Sequence, residues 1–404
     1  MNFLQFFVWG AWLISMGGYM IVTLHFSGGQ VGSIYATMGI ASLFMPALLG
    51  IVADRWINAE RVLGISHLIN GLLLICAAFV HDFDTLYWIM LGVSMFYMPT
   101  IALNSTVSYS ILERNGFDVV KSFPPIRVWG TIGFIAAMWV IDLFGWTVSP
   151  VQLYLSAGAA IAMGLYSFSM PVCPPEYKGK SQSFISSLGL DAFVLFKQRK
   201  MSIFLIFSML LGAALQITNT FGEPFLHDFA NHFKDSFAVL HPSVLMSVSQ
   251  MSETLFILTI PFFLKKFGIK KVMIMSMIAW VFRFGLFAIG NPGGGLMWLI
   301  LSMIIYGMAF DFFNISGSLF VELEAPKKIR ASAQGLFMIM TNGLGAFIGS
   351  MGSGWIVDYF THDGHRNWPD IWFTFAAYAL VIAISFVFLF KYKHDPKALE
   401  KVQH

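Results

Sequence analysis

Apolar windows of about 20 residues, each long enough to cross a bilayer as a helix, recur along the whole chain. They predict twelve spans near 4–25, 30–53, 62–80, 85–110, 125–146 and 150–171, then 201–224, 242–264, 271–290, 296–321, 331–358 and 370–391. The breaks between them carry turn chemistry, as in His25-Phe26-Ser27-Gly28-Gly29, His81-Asp82-Phe83-Asp84 and Asn291-Pro292-Gly293-Gly294-Gly295. A polar segment from Cys173 to Lys200 opens on Pro174-Pro175, carries five Lys/Arg and divides the spans into two groups of six. The predicted organisation is an N-terminal half 1–172, a linker 173–200, a C-terminal half 201–392 and a tail 393–404. Twelve crossings use roughly 250 residues, which leaves no room for a separate soluble domain.

Composition strengthens this picture. Of 404 residues 57% are hydrophobic and 11% charged, against roughly 25% charged in a soluble domain. Charge placement then orients the chain. Twenty of the 24 Lys/Arg fall in one set of alternating loops and the C-terminal tail, and only Lys234 and Arg366 in the opposite loops. That bias predicts an even number of spans with both termini in the cytoplasm. The net charge of +3 is scattered, so it is no nucleic-acid footprint. The two cysteines, Cys76 in a span and Cys173 in a loop, give no disulfide framework. The first apolar window starts at Phe3 without a basic lead or a small-residue cleavage site, and reads as a retained helix.

Polar groups inside spans need a reason, since a charge at mid-membrane costs about 2.5–3.5 kcal/mol on insertion scales. Arg127 and Arg283 are the two embedded cations. Arg127 is followed at i+4 and i+7 by Thr131 and Phe134, the wall of a hydrophilic cavity or, alternatively, a snorkelling arginine and its neighbours. Arg283 has no partner that spacing identifies. Gln216 and Asn219, then Gln250 and Glu253, form two i, i+3 pairs on consecutive spans. A single amide there often glues helices together. Four polar groups with a midplane carboxylate point instead to a site able to hydrogen-bond hydroxyls and heterocycle edges. In the tenth span Tyr306, Phe310 and Asn314 share a face, with Asp311 about 100° away. An aspartate among phenylalanines is either protonated or paired with a cation.

Other residues carry blander readings. Asp142, Glu223 and Asp358 fall at the outer ends of spans and are expected to be solvated, His67 to pack between helices, and Gly345 and Gly349 to form a close-packing face. A His365-to-Asp370 spacing lies in a short loop without the domain such chemistry needs. No phosphate loop and no Cys/His cluster with metal spacing occurs, so neither a nucleotide nor a metal cofactor is called for.

A weak internal repeat agrees with two halves. Gly50-Ile51-Val52-Ala53-Asp54-Arg55, with Arg61 beyond, follows the second span, and Phe263 to Lys271 follows the eighth. Any cytoplasmic loop tends to be basic, but with the 6 + linker + 6 layout these resemble the conformational loops of the major facilitator superfamily. Longer strings narrow the resemblance. Phe123 to Phe134 (FPPIRVWGTIGF), Leu215 to Gly222 (LQITNTFG), Ser249 to Phe263 (SQMSETLFILTIPFF), Ala309 to Ser318 (AFDFFNISGS) and Ile329 to Gly343 (IRASAQGLFMIMTNG) resemble the nucleoside:proton symporter family over essentially the whole chain. The N-terminus departs from the family in lacking a short cytoplasmic lead.

That resemblance implies a 12-helix inner-membrane protein, functional as a monomer, that imports nucleosides with protons and needs no cofactor. It implies a cavity lined by Arg127, Thr131, Phe134, Gln216, Asn219, Gln250, Glu253 and Phe310. Asp311 or Glu253 would carry the proton, and Asp54 and Arg55 would belong to the conformational loop. The residues by themselves reach only a proton-coupled or facilitative transporter of a polar solute. A sugar carrier of the same fold, an uncoupled facilitator, and a membrane-embedded enzyme or sensor remain as alternatives, the last two lacking a nucleophile or metal set and an output domain.

Overall fold

The computed structural model describes residues 1–175 and 190–392. Half of the linker predicted at 173–200, and the tail at 393–404, lie outside the described residues. Among those described, nine helices are long and apolar enough to cross a membrane. The helices are α1 (Asn2–Gly10), α2 (Met16–Gly18, running into a π-helical turn Tyr19–Thr23), α3 (Gly28–Arg55), α4 (Ala59–Ala78), α5 (Phe83–Arg114), α6 (Val119–Leu143) and α7 (Val151–Ser167). After the linker come α8 (Arg199–His227), α9 (Pro242–Ile289), α10 (Leu296–Glu324), α11 (Arg330–Met338), a π-helical segment Ile339–Gly345, α12 (Ala346–Tyr359) and α13 (Trp368–Leu389).

Local chemistry sets the starts. Ser27 and Gln30 form a reciprocal capping box on α3. Asp82 caps α5 by accepting the Thr85 N–H at 2.9 Å, and that bond holds its carboxyl below the usual aspartate range. Large apolar side chains such as Trp88 (68% exposed) and Leu258 (76%) face outward, where a bilayer would cover them.

Of the predicted windows, the first comes out differently. It is not one helix, because the chain breaks between Gly10 and Met16. Tyr35 Oη donates to the Leu13 carbonyl at 2.6 Å and accepts the Gly17 N–H at 3.0 Å, so a neighbouring helix satisfies the backbone groups that the break frees. The windows at 242–264 and 271–290 are two arms of α9, which reverses at Gly268 with φ 77°, ψ 165°. Only glycine adopts that conformation without strain.

Two sets of helices result. In the first, α4 packs on α7 and α5, α1 on α6, and α3 on α5; in the second, the arms of α9 pack on α10 and α13, and α8 on the 339–359 stretch. The sets meet where α3 lies along α12, α6 along α9, and α2 along α8.

The hydrogen bonds that join the sets, among the described residues, gather at the end poor in Lys and Arg. Asp142 at the end of α6 accepts from the Ser243 and Val244 N–H groups at 2.7 and 3.1 Å, and from His241 Nδ1 at 2.6 Å. Asp358 at the end of α12 accepts from Gly28 and Gly29 N–H at 2.6 and 2.7 Å. Trp139 donates to Ser247 at 2.9 Å. Each carboxylate thus caps the N-terminus of a helix in the other set, where unpaired N–H groups and the helix dipole favour an anion. The close backbone approaches of α3 to the other set run from Gly28 through Gly32 to Gly39, while a Cβ at Gly50 would meet nothing within 4 Å, so the cleft between the sets opens toward that end. This corrects the expectation that Asp142 and Glu223 are solvated. Asp142 is buried against α9, and Glu223 is buried with Ser243 Oγ donating to it at 2.9 Å.

Candidate functional site

The cleft has one wall from α1 and α6 and the other from α8, α9 and α10. Helical spacing sets Arg127, Thr131 and Phe134 in line on α6, just beyond Pro124-Pro125, which remove two backbone donors from its first turns. Two aromatics of α1 support them. The Arg127 guanidinium carbon lies 4.1 Å from the Phe6 ring centroid, and Trp9 meets Phe134 edge-on at 6.1 Å.

On the opposite wall Glu253 is the electrostatic neighbour of Arg127, yet the two form no ion pair within 4.0 Å. Glu253 also faces Asp311, and Tyr306 sits in the field of both carboxylates. Asp311 itself is 3% exposed, and its Oδ2 has no partner. Glu253, and not Asp311, is thus the carboxylate in whose field Arg127 sits. The Oε1 atoms of Gln216 and Gln250 are likewise buried without a donor. Thr131 and Asn219 are half-buried, and neither side chain has a hydrogen-bond partner among the described residues. Buried polar atoms in native structures are normally paired. Five side chains with unmet capacity on cleft-lining helices mark a place for a polar guest.

Phe310 stands at the end of a column. Its ring stacks on Tyr306 (centroids 6.0 Å apart, 7° between planes), and the Arg283 guanidinium covers the Tyr306 ring at 4.4 Å. Arg283 also donates to the Ser302 carbonyl at 3.1 Å and to Ser249 Oγ at 3.3 Å. The cation without an evident partner in the sequence is thus a brace behind the aromatic platform. Tyr306 is the residue that spacing placed beside Phe310 without a role, and stacking supplies one.

Gly307 lets this wall form. A Cβ there would lie 2.6 Å from the Ser252 carbonyl oxygen and 2.9 Å from the Glu253 nitrogen, so α9 rests on α10 at the level of Glu253. Gly307→Val should push the two helices apart and displace Glu253, with uptake falling at least tenfold at matched membrane abundance. Gly158→Val, where a Cβ meets nothing within 4 Å, should leave uptake near wild type. Equal losses in both variants would remove the special role given to Gly307.

Other predicted residues lie elsewhere. Asp54 and Arg55 are at the C-terminal end of α3, at the open end of the cleft. His67 is fully buried and bonds Gln5 Oε1 at 2.7 Å, part of the packing of the first set. Among the described residues no group of three His, Cys, Asp or Glu is arranged to hold a metal ion.

Comparison with known proteins gives this geometry a context. Residues 1–395 match the family model described as nucleoside H+ symporter. The chain is 56% identical to the xanthosine permease of Escherichia coli strain K12, over 100% of this chain and 97% of the relative. It is 51% identical to the nucleoside permease NupG of the same organism, covering 100% of this chain and 98% of that one. A crystal structure of a point mutant of the nucleoside transporter NupG superposes with TM-score 0.95 at 52% identity, covering 96% of this chain and 98% of that chain.

Proposed function

The chain belongs to the nucleoside H+ symporter family, and from that premise we propose that it imports nucleosides with protons across the inner membrane by alternating access. It is a multi-pass membrane transporter and not an enzyme. The observation that carries the reading is the facing of Arg127 and Glu253 across the cleft, beside amides and a carboxylate with no partner of their own. A neutral solute rich in hydroxyls and heteroatoms suits such a lining.

We place twelve crossings in the bilayer. They are the broken first segment, the 17-residue α7, the two arms of α9, and the 330–359 stretch as one, together with the remaining seven long helices. Counting this way supports both termini on the cytoplasmic side, where 20 of 24 Lys/Arg would lie. The halves 1–172 and 201–392 then rock about a midplane site within one monomer. Two clasps in equivalent places, Asp142 on the start of α9 and Asp358 on the start of α3, fit such a pseudo-symmetric pair. With this orientation the cleft faces the cytoplasm.

Within the site, Phe310 or Phe134 stacks on the base, worth about 0.5–1.5 kcal/mol. Gln216, Asn219 and Gln250, with Thr131, bond ribose hydroxyls and base edges. Glu253 accepts from the ribose and is held toward it by Arg127. Asp311 carries the proton.

The test is uptake of labelled uridine, adenosine and xanthosine by cells lacking their own nucleoside permeases, with and without a protonophore. Uptake above the outside concentration that collapses with protonophore is expected. Uptake that only equilibrates would make the protein a facilitator. Uptake of sugars with no nucleoside uptake would overturn the substrate assignment.

A further inference from the structure

Next to this site lies a recess of about 30 Å3 that none of the roles above uses, room for a bound water or for the polar edge of a larger molecule seated in the cleft. Phe310 forms part of its wall, so the two spaces share that residue. Leu215 and Trp280 add apolar surface, and Asn314, Thr341 and Asn342 supply the polar atoms.

Three features of these polar groups point to a ligand. Asn314, one helical turn beyond Phe310 on the same face, is half-buried, and its amide has no hydrogen-bond partner among the described residues. Asn342 is exposed to the cleft, and its only partner among the described residues is the Met338 sulfur at 3.6 Å, a weak acceptor. Thr341 spends its hydroxyl proton on its own helix, on the Phe337 carbonyl at 3.0 Å, which leaves the oxygen free to accept. Thr341 and Asn342 stand on the π-helical segment Ile339–Gly345, a departure from α-geometry frequent at functional sites. No charged side chain lines the cavity. The combination selects against a phosphate, a cation or a carboxylate. Two carboxamides beside an aromatic face offer paired donors and acceptors, which fits the edge of a nitrogen heterocycle better than a sugar.

We infer that Asn314 and Asn342 complete the reading of the nucleobase begun by Gln216, Asn219 and Gln250, holding the edge that lies beside Phe310 while the Arg127–Glu253 side of the cleft takes the ribose. The inference rests on the nucleoside reading above and deepens it. Discrimination among nucleosides would be set by α10 and the π segment, and acceptance of a nucleoside at all by α6, α8 and α9. A site built to bond a heteroatom edge rejects analogues that lack the match more strongly than an apolar pocket does.

The experiment measures kcat/KM for uridine, adenosine, xanthosine and 2′-deoxyuridine in wild type, Asn314→Leu and Asn342→Leu, at matched membrane abundance. The expected result is at least a tenfold change in the ratios among the nucleosides that differ in base, with the uridine to 2′-deoxyuridine ratio held. A common fall for all four substrates would overturn the inference. Absence of uptake of the whole panel by wild type would overturn the nucleoside reading and the inference with it. Labelling of Asn342→Cys in a Cys76→Ala background guards against misfolded variants. Nucleosides and free nucleobases are expected to protect the thiol and free ribose not to, whereas protection by ribose alone would overturn the assignment.

Discussion

In cells carrying Asp311→Asn, labelled uridine is expected to rise to its outside concentration and stop there, while wild type concentrates it. One proton moving inward gains about 2.3 kcal/mol per 100 mV, which supports roughly 40-fold accumulation of a neutral solute. The asparagine should bring that ratio to about one, because it keeps the shape of the carboxyl and cannot carry the proton. Asp311 suits this role by its surroundings. Its Oδ2 is buried with no donor against it, and the nearby charge is another carboxylate, Glu253. Glu253 differs in facing Arg127, so its negative charge has a counterpart across the cleft. Glu253→Gln should therefore raise KM while retaining some accumulation. Counterflow separates the two effects: exchange of labelled for unlabelled uridine, with no gradient, should persist in Asp311→Asn and weaken in Glu253→Gln. Wild-type accumulation also rises as the outside pH falls, and Asp311→Asn should lose that dependence. Protonophore-sensitive accumulation by Asp311→Asn would move the proton to Glu253 or another group.

Hydropathy located these residues well along the chain and poorly around it. The windows found the long apolar helices because bilayer thickness imposes their length, whatever they pack against. The break after Gly10 leaves no mark in hydropathy because its backbone groups are satisfied by Tyr35, a residue on a different helix. The burial of Asp142 is hidden for the same reason. Its position at the end of a span predicts water, while its actual partners are backbone N–H groups of Ser243 and Val244 about a hundred residues later. Arg127, Glu253 and Asp311 were conspicuous as charges in apolar sequence, but their pairing was not. The sequence places Asn314 on the face of Phe310 without giving it a role and passes over Asn342, because uncharged amides in spans are common as helix glue. Their lack of partners, visible only in three dimensions, sets them apart.

The clasp at the lysine-poor end leads to the second large effect. Asp142→Ala combined with Asp358→Ala should open that end of the cleft. Each carboxylate bonds N–H groups at the start of a helix in the other half, and such a charge contributes about 0.3–1 kcal/mol when exposed and up to ~2 when partly buried. Asp142 is buried and Asp358 exposed, so together they favour the closed outer end by roughly 2–3 kcal/mol, on the order of 30- to 150-fold in the conformational ratio. Removing Asp142 also strands the Ser243 and Val244 N–H groups, which then gain by separating to reach water. Ser33, half-buried against Met351 at this interface, serves as reporter when changed to cysteine in a Cys76→Ala background. A membrane-impermeant thiol reagent added outside should label Ser33→Cys at least tenfold faster in the double variant than in the parent. Transport should slow at the same time, because the return to the inward-facing state becomes the uphill step of the cycle. Unchanged labelling would reduce both aspartates to local helix caps and leave the outer closure to the apolar packing of α3 on α12 and of α2 on α8.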